Sequence, residues 1–182
     1  MPTQALPRIL AFDVFGTLVD WYGSIVRHMA LHYPQVDGAA FARAWRLGYQ
    51  PAMEQVRNGQ QAWVPLDALH RQILDGLLLK FDLQHLTEPE RRALNLVWHT
   101  LDAWPDSAAA LGVLKKHCTI TPLSNGNLSL LTHLSKHNAF AWDCVLSAEV
   151  FQAYKPDPAT YLGVARIFDC APHEVMLGSV EI

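Results

Sequence analysis

ILAFDVFGTLVDW, residues Ile9 to Trp21, is the stretch on which the reading of the fold turns. Ile9–Val14 is a short apolar run bounded by turn chemistry, the pattern of a strand buried on both faces of a parallel sheet. Yet Asp13 sits near its end, and Gly16-Thr17 follows at once. In open parallel sheets, ligands bind outside the carboxyl ends of the strands, so an acid placed there is a candidate reacting group. An Asp closing a strand can also be only a turn or cap residue. The choice depends on what the rest of the chain brings to it.

From Tyr22 to Leu101 the texture is helical, with candidate helices Gly23–His32, Gly38–Arg57, Leu66–Phe81 and Pro89–Leu101. Asp37, Asp67 and Thr87 stand where helix starts need side-chain acceptors. Asn58-Gly59 and Pro65 punctuate between them. After Trp104-Pro105 the texture changes. Asp106 is placed to cap a helix over Ser107–Lys116, and Cys118–Leu123 reads as a strand. Helix Leu128–Lys136, strand Cys144–Ser147, helix Pro158–Phe168 and strand Glu174–Leu177 follow.

Strands alternating with helices predict βαβ units, hence an α/β fold with a doubly wound parallel sheet. Residues 1–21 and 102–182 would form that core, and residues 22–101 an all-helical insertion after its first strand. The chain stops just past the fourth predicted strand, with no helix left for another crossover. Either the fold is unusually minimal there or a longer domain is cut short; truncation is the expectation.

Composition narrows the function classes. The 182 residues are about half apolar and only 17% charged, which favours a packed interior over disorder. A formal charge of −3, without a Lys/Arg block, gives no reason to expect nucleic acid as a partner. The most apolar stretch, ILDGLLLKF, is too short to span a bilayer, so no membrane association is expected. Three scattered cysteines, Cys118, Cys144 and Cys170, and the lack of a secretory signal fit a reduced, cytoplasmic protein.

Three predicted strand ends carry notable polar groups. Asp13 and Thr17 follow the first, Ser124-Asn125-Gly126 close the second, and Lys155-Pro156-Asp157 come after the third. A carboxylate, a hydroxyl/amide pair and a lysine converging on one crevice would make a reaction centre. Against this, Asn-Gly is common turn chemistry, and Asp157 with Pro158 also reads as a helix start.

Asp13-Val-Phe-Gly-Thr17-Leu, Leu-Ser124-Asn125-Gly and Tyr-Lys155-Pro-Asp-Pro resemble the first three motifs of the haloacid dehalogenase-like (HAD) superfamily. More narrowly, FDVFGTLVDW, the Trp45-Arg46 pair, LSNGN and YKPDPATY resemble the L-2-haloacid dehalogenases. The resemblance runs from about residue 8 to 179 and implies a HAD-like Rossmannoid core with a helical cap. It also implies hydrolysis of a small 2-haloalkanoic acid to the 2-hydroxy acid, through an ester on Asp13 and with no cofactor or metal.

Under that resemblance Lys155 pairs with Asp13. Opposite charges about 4 Å apart attract by roughly 4 kcal/mol before desolvation, at an effective dielectric near 20. Ser124 and the amides of Val14 and Phe15 would hold the substrate carboxylate. Arg46 and Asn125 would receive the halide, Thr17 and Tyr161 would organise the nucleophile and the lysine, and Ser179 would open the last motif. A homodimer formed through the cap is also implied.

Phe15 separates two chemistries. Phosphatases of the superfamily place a second Asp there to protonate a leaving alcohol, and they hold Mg²⁺ against the charge repulsion. A halide needs no proton, so an apolar ring at this position favours carbon–halogen cleavage. A Mg²⁺-dependent phosphatase, or a variant impaired by the lack of the last motif, are the alternatives. Two departures from the family stand out. Phe15 replaces a common Tyr, and Glu181 stands where Asn or His is expected.

Judged without the family, Tyr161 and Ser179 read as structural, and Arg46 shares its helix face with Arg43. The i, i+4 pairs His28/His32 and His133/His137 lack an adjacent acid and are read as chance. Trp45, Tyr49 and Trp63 are expected in the core or at the cap interface.

Overall fold

The computed structural model describes residues 6–180. Four parallel strands form one sheet: β1 (Ile9–Phe12), β2 (Thr119–Ser124), β3 (Leu146–Ser147) and β4 (Val175–Gly178), in the order β3-β2-β1-β4. The helices are α1 (Trp21–His32), α2 (Gly38–Arg57), α3 (Leu66–Leu77), α4 (Glu88–Asn95), α5 (Ser107–Leu114), α6 (Leu128–His137), α7 (Ala148–Phe151) and α8 (Pro158–Ile167). The chain winds outward from β1 through β2 to β3, then returns to place β4 on the other side of β1. β1 therefore lies at the topological switch point, where such sheets bind ligands. The chain divides into two compact units, residues 1–19 with 103–182 and residues 20–102.

In the α/β unit, Ile9 pairs with Thr119 and Val175, and Phe12 with Pro122 and Gly178. Ile9, Ala11, Leu123, Leu146 and Val164 form the buried core over which Phe151, Tyr161 and Val175 pack. The β1 ladder ends at Phe12, two residues before the predicted end. Asp13 N–H still donates to the Gly178 carbonyl at 2.9 Å, but the Val14 carbonyl turns to accept from Leu18 and Val19. β3 pairs only with Leu123 and Ser124, which leaves Pro122, with no N–H to donate, outside that ladder. The four-residue α7 is too short to leave a periodic signal in the sequence.

In the helical unit, Asp20 N–H donates to the Asp102 carbonyl at 2.8 Å, so the two ends of the segment meet. Arg27 reaches both Asp20 and Asp102. Trp45 and Trp98 are fully buried in a T-shaped pair with centroids 5.5 Å apart. His70 stacks on Trp98 at 4.2 Å. Each large apolar side chain so buried contributes roughly 1.5–3 kcal/mol. Trp45 and Tyr49 are core residues, one of the two placements expected for them, and Trp63 is half-buried.

The capping expectations divide. Asp37 accepts from Ala40 N–H and Asp157 from Ala159 N–H, and Glu90 accepts from Thr87 N–H in a capping box. Asp67 does not cap α3. It lies inside the first turn, where its carboxylate meets His99 Nε2 at 3.0 Å, and Pro65 occupies the cap position. Asp106 precedes α5 but makes no side-chain capping bond. The predicted Pro89–Leu101 helix is α4 followed by a 3-10 turn over Leu96–His99.

Candidate active site

Asp13 is the first residue beyond β1, and two short segments aim its carboxylate. Its backbone is fixed by Gly178, and the chain then turns through Gly16, whose φ of 88° favours glycine. Trp104 Nε1 donates to the Gly16 carbonyl at 2.9 Å, pinning the turn. Four residues past Asp13, Thr17 Oγ1 donates to Asp13 Oδ2 at 3.2 Å and accepts from Val180 N–H at 3.1 Å.

The other carboxylate oxygen meets the lysine. Lys155 Nζ donates to Asp13 Oδ1 at 2.7 Å, and both side chains are largely shielded from solvent. A charge-assisted contact of this length is among the stronger hydrogen bonds available to a protein. Lys155 is placed by its own main chain, since its N–H donates to Asn125 Oδ1 at 2.7 Å. A cis peptide bond joins it to Pro156.

Ser124 and Asn125 are buried at the end of β2. Ser124 Oγ accepts from Gly126 N–H at 3.2 Å, and this closes the turn. A Cβ at Gly126 would lie 3.4 Å from the Phe15 ring and 3.2 Å from Leu130, so glycine permits this close packing. Val14 and Phe15 are both buried. Phe15 thus packs against the Ser124–Gly126 turn and brings no acid or hydroxyl to it.

Tyr161, on α8, is half-buried. Its phenol pKa is raised, first by burial and then by the negative charge of Asp13, so it shares the electrostatic environment of the carboxylate. It also lines a small apolar cavity of about 120 Å³ with Ala11, Leu123, Pro172 and Leu177. Ser179 is exposed, between Gly178, which holds Asp13, and Val180, which holds Thr17. Those two backbone groups leave no mark in the sequence, because main-chain donors and acceptors carry no residue signature. Glu181, noted in the sequence, lies outside the described residues.

Arg46 belongs to the helical unit. Its guanidinium lies over the Tyr49 ring at 4.3 Å and the Trp21 ring at 5.5 Å, and Nη1 is buried without a hydrogen-bond partner. Arg43, on the same helix, is exposed and donates to Tyr22 Oη. Of the histidine pairs, His28 and His32 have ring centroids 4.5 Å apart, and the His28 pKa is lowered by burial and by His32. Among the described residues no group of three or more His, Cys, Asp or Glu is placed to hold a metal ion. No helix among them is long and apolar enough to cross a membrane.

In the α/β unit, then, a carboxylate at the switch point is held by a lysine and a threonine, beside a buried hydroxyl/amide turn. That arrangement can present a fixed anionic nucleophile to an electrophile. The model of the haloacid dehalogenase-like hydrolases matches residues 7–177. (S)-2-Haloacid dehalogenase 1 of Pseudomonas sp. (strain CBS-3) is 30% identical over 173 residues, which cover 92% of this chain and 74% of that protein. Among solved structures, the L-2-haloacid dehalogenase PA0810 superposes with a TM-score of 0.89 at 42% identity, covering 95% of this chain and 75% of that one. The defluorinating L-2-haloacid dehalogenase Rha0230 gives 0.88 at 40% identity, covering 94% and 72%. By motifs, fold and these similarities, the chain belongs to the haloacid dehalogenase-like hydrolases, in their L-2-haloacid dehalogenase family.

Proposed function

We propose that this protein hydrolyses a small 2-haloalkanoic acid to the 2-hydroxy acid through an ester on Asp13, with residues 22–101 serving as its cap. The observation that carries the reading is the Asp13–Lys155 pair, with Thr17 on the second oxygen and the apolar Phe15 two residues on. A carboxylate oxygen attacks C2 and the carbon–halogen bond breaks with its electron pair leaving on the halide. Because a halide needs no proton, Phe15 is no handicap to this step. Water then adds to the ester carbonyl of Asp13, and its collapse releases the 2-hydroxy acid and restores the carboxylate.

Lys155 and Thr17 keep the carboxylate oriented and compensate its charge before attack. Ser124, with the main chain at Val14 and Phe15, binds the substrate carboxylate. Tyr161 supports the lysine side of the pocket, and Ser179 takes part in placing the hydrolytic water. Asn125 and Arg46 are assigned the halide. The Arg46 Nη1, a buried donor with no protein acceptor, is the kind of group an anion satisfies.

The test is a single turnover with 2-chloropropionate in ¹⁸O-water containing EDTA. The reading expects chloride release, label in the peptide carrying Asp13 and unlabelled product. Label entering the product directly would overturn the ester route. Phosphate release from p-nitrophenyl phosphate with Mg²⁺, without any chloride release, would overturn the dehalogenase assignment.

A further inference from the structure

Helix α6, which follows the Ser124–Asn125 turn, starts without a cap of its own. Its N-cap residue, Asn127, makes no side-chain bond to the helix backbone, and its amide donates instead to Ser129 Oγ at 2.8 Å. The acceptor comes from α7. Glu149 Oε2 accepts the Leu128 N–H at 2.7 Å, across 21 positions of sequence. A carboxylate at this point satisfies one of the free N–H groups of the helix and complements the positive end of its dipole.

Glu149 is itself held in place. Its N–H donates to Ser147 Oγ at 2.9 Å, and Ser147 is fully buried and paired with Ser124 in the sheet. On the other side of the turn, Asn125 Oδ1 accepts the Lys155 N–H. The loop bearing Ser124 and Asn125 is therefore clamped twice to one segment, Ser147–Lys155. Glu149 holds its helix end and Lys155 holds its amide.

We propose that Glu149 is a positioning residue for the reaction, fixing the Ser124–Leu128 turn so that Ser124 and Asn125 meet the substrate carboxylate and the halide. This deepens the dehalogenase reading and rests on it. A residue that merely stabilised the fold would change the amount of active protein but not the affinity of what remains.

The experiment compares wild type with Glu149→Ala, Glu149→Asp and Glu149→Gln, each checked by thermal melting. Gln retains an acceptor oxygen of the same reach, whereas Asp is too short. Loss of a cap shifts the equilibrium it supports by roughly two- to thirtyfold. The Ala and Asp variants are expected to raise KM for 2-chloropropionate by roughly tenfold, with kcat changed less and with chloride inhibition weakened in parallel. Gln is expected to stay within about twofold of wild type. Unchanged KM and chloride inhibition in Ala and Asp would overturn the proposal.

Amide hydrogen exchange over residues 124–129 gives a readout independent of turnover. It should quicken about tenfold in Ala and Asp and be restored in Gln. If wild type releases no halide, the dehalogenase reading fails, and exchange still decides whether Glu149 holds the turn.

Discussion

Lys155 Nζ and Asp13 Oδ1 stand 2.7 Å apart although 142 positions separate them in the chain. The Asn125 side chain accepts the Lys155 N–H and so helps to place the lysine main chain. Replacing Lys155 by Met is expected to lower halide release on the order of 10³-fold or more, the scale seen when one member of a catalytic unit is removed. Lys155→Arg should not restore it, because a planar guanidinium cannot stand in for a compact ammonium at this distance. Initial rates of chloride release, with circular dichroism to verify folding, provide the check.

Thr17 is expected to supply a smaller share. Its hydroxyl spans Asp13 Oδ2 and Val180 N–H, so Thr17→Val removes an orienting bond and leaves the same volume. A hydrogen bond to a charged group is worth about 1.5–3 kcal/mol. A fall in kcat of roughly ten- to a hundredfold is therefore expected. Thr17→Ser should recover most of it. Equal activity in all three proteins would remove Thr17 from the mechanism.

His70 makes the helical unit sensitive to acid. It is buried with both ring nitrogens unpartnered, and its pKa is pushed down to about 3. Burial is the main cause; Asp67 opposes it, while Arg46 and His99 reinforce it. The unfolded chain binds this proton near pH 6.5 and the folded chain does not until about 3. Its contribution to stability is thus complete above about 6.5 and is lost as pH falls towards 3, by roughly 1.4 kcal/mol per pH unit. Urea unfolding at pH 7.5 and 4.5 should show a smaller loss in His70→Phe than in wild type.

Gly163 tests the packing behind the lysine segment. A Cβ there would run into the Phe151 ring, bringing α8 and α7 into collision. Gly163→Ala is expected to destabilise the protein by about 1–3 kcal/mol, the usual range for overpacking. Thermal unfolding measures it directly. A midpoint equal to wild type would mean that the Phe151 ring moves aside freely.

Much of the fold was legible because its signals are local. The apolar run at Ile9, the helical spacing through Gly38–Arg57 and the Asp157-Pro158 helix start each depend on near neighbours in sequence. What local signals could not reveal were the outcomes of competition. Asp67 looks like a cap, but His99 takes its carboxylate. Asp106 looks like a cap and makes no capping bond. The short α7 has too few residues to show a period.

The sequence alone determined which groups could take part. Asp13, Thr17, Ser124, Asn125 and Lys155 all sit where predicted strands end, and a parallel sheet gathers those ends along one edge. The tertiary structure decided which atoms meet: Lys155 and Thr17 on opposite oxygens of Asp13, Asn125 on the lysine main chain, and Glu149 capping a helix 21 positions away. Residue type fixes what a side chain can donate or accept, but distances of a few ångströms across the sheet are set by the packing of the whole unit, which no short window of sequence contains.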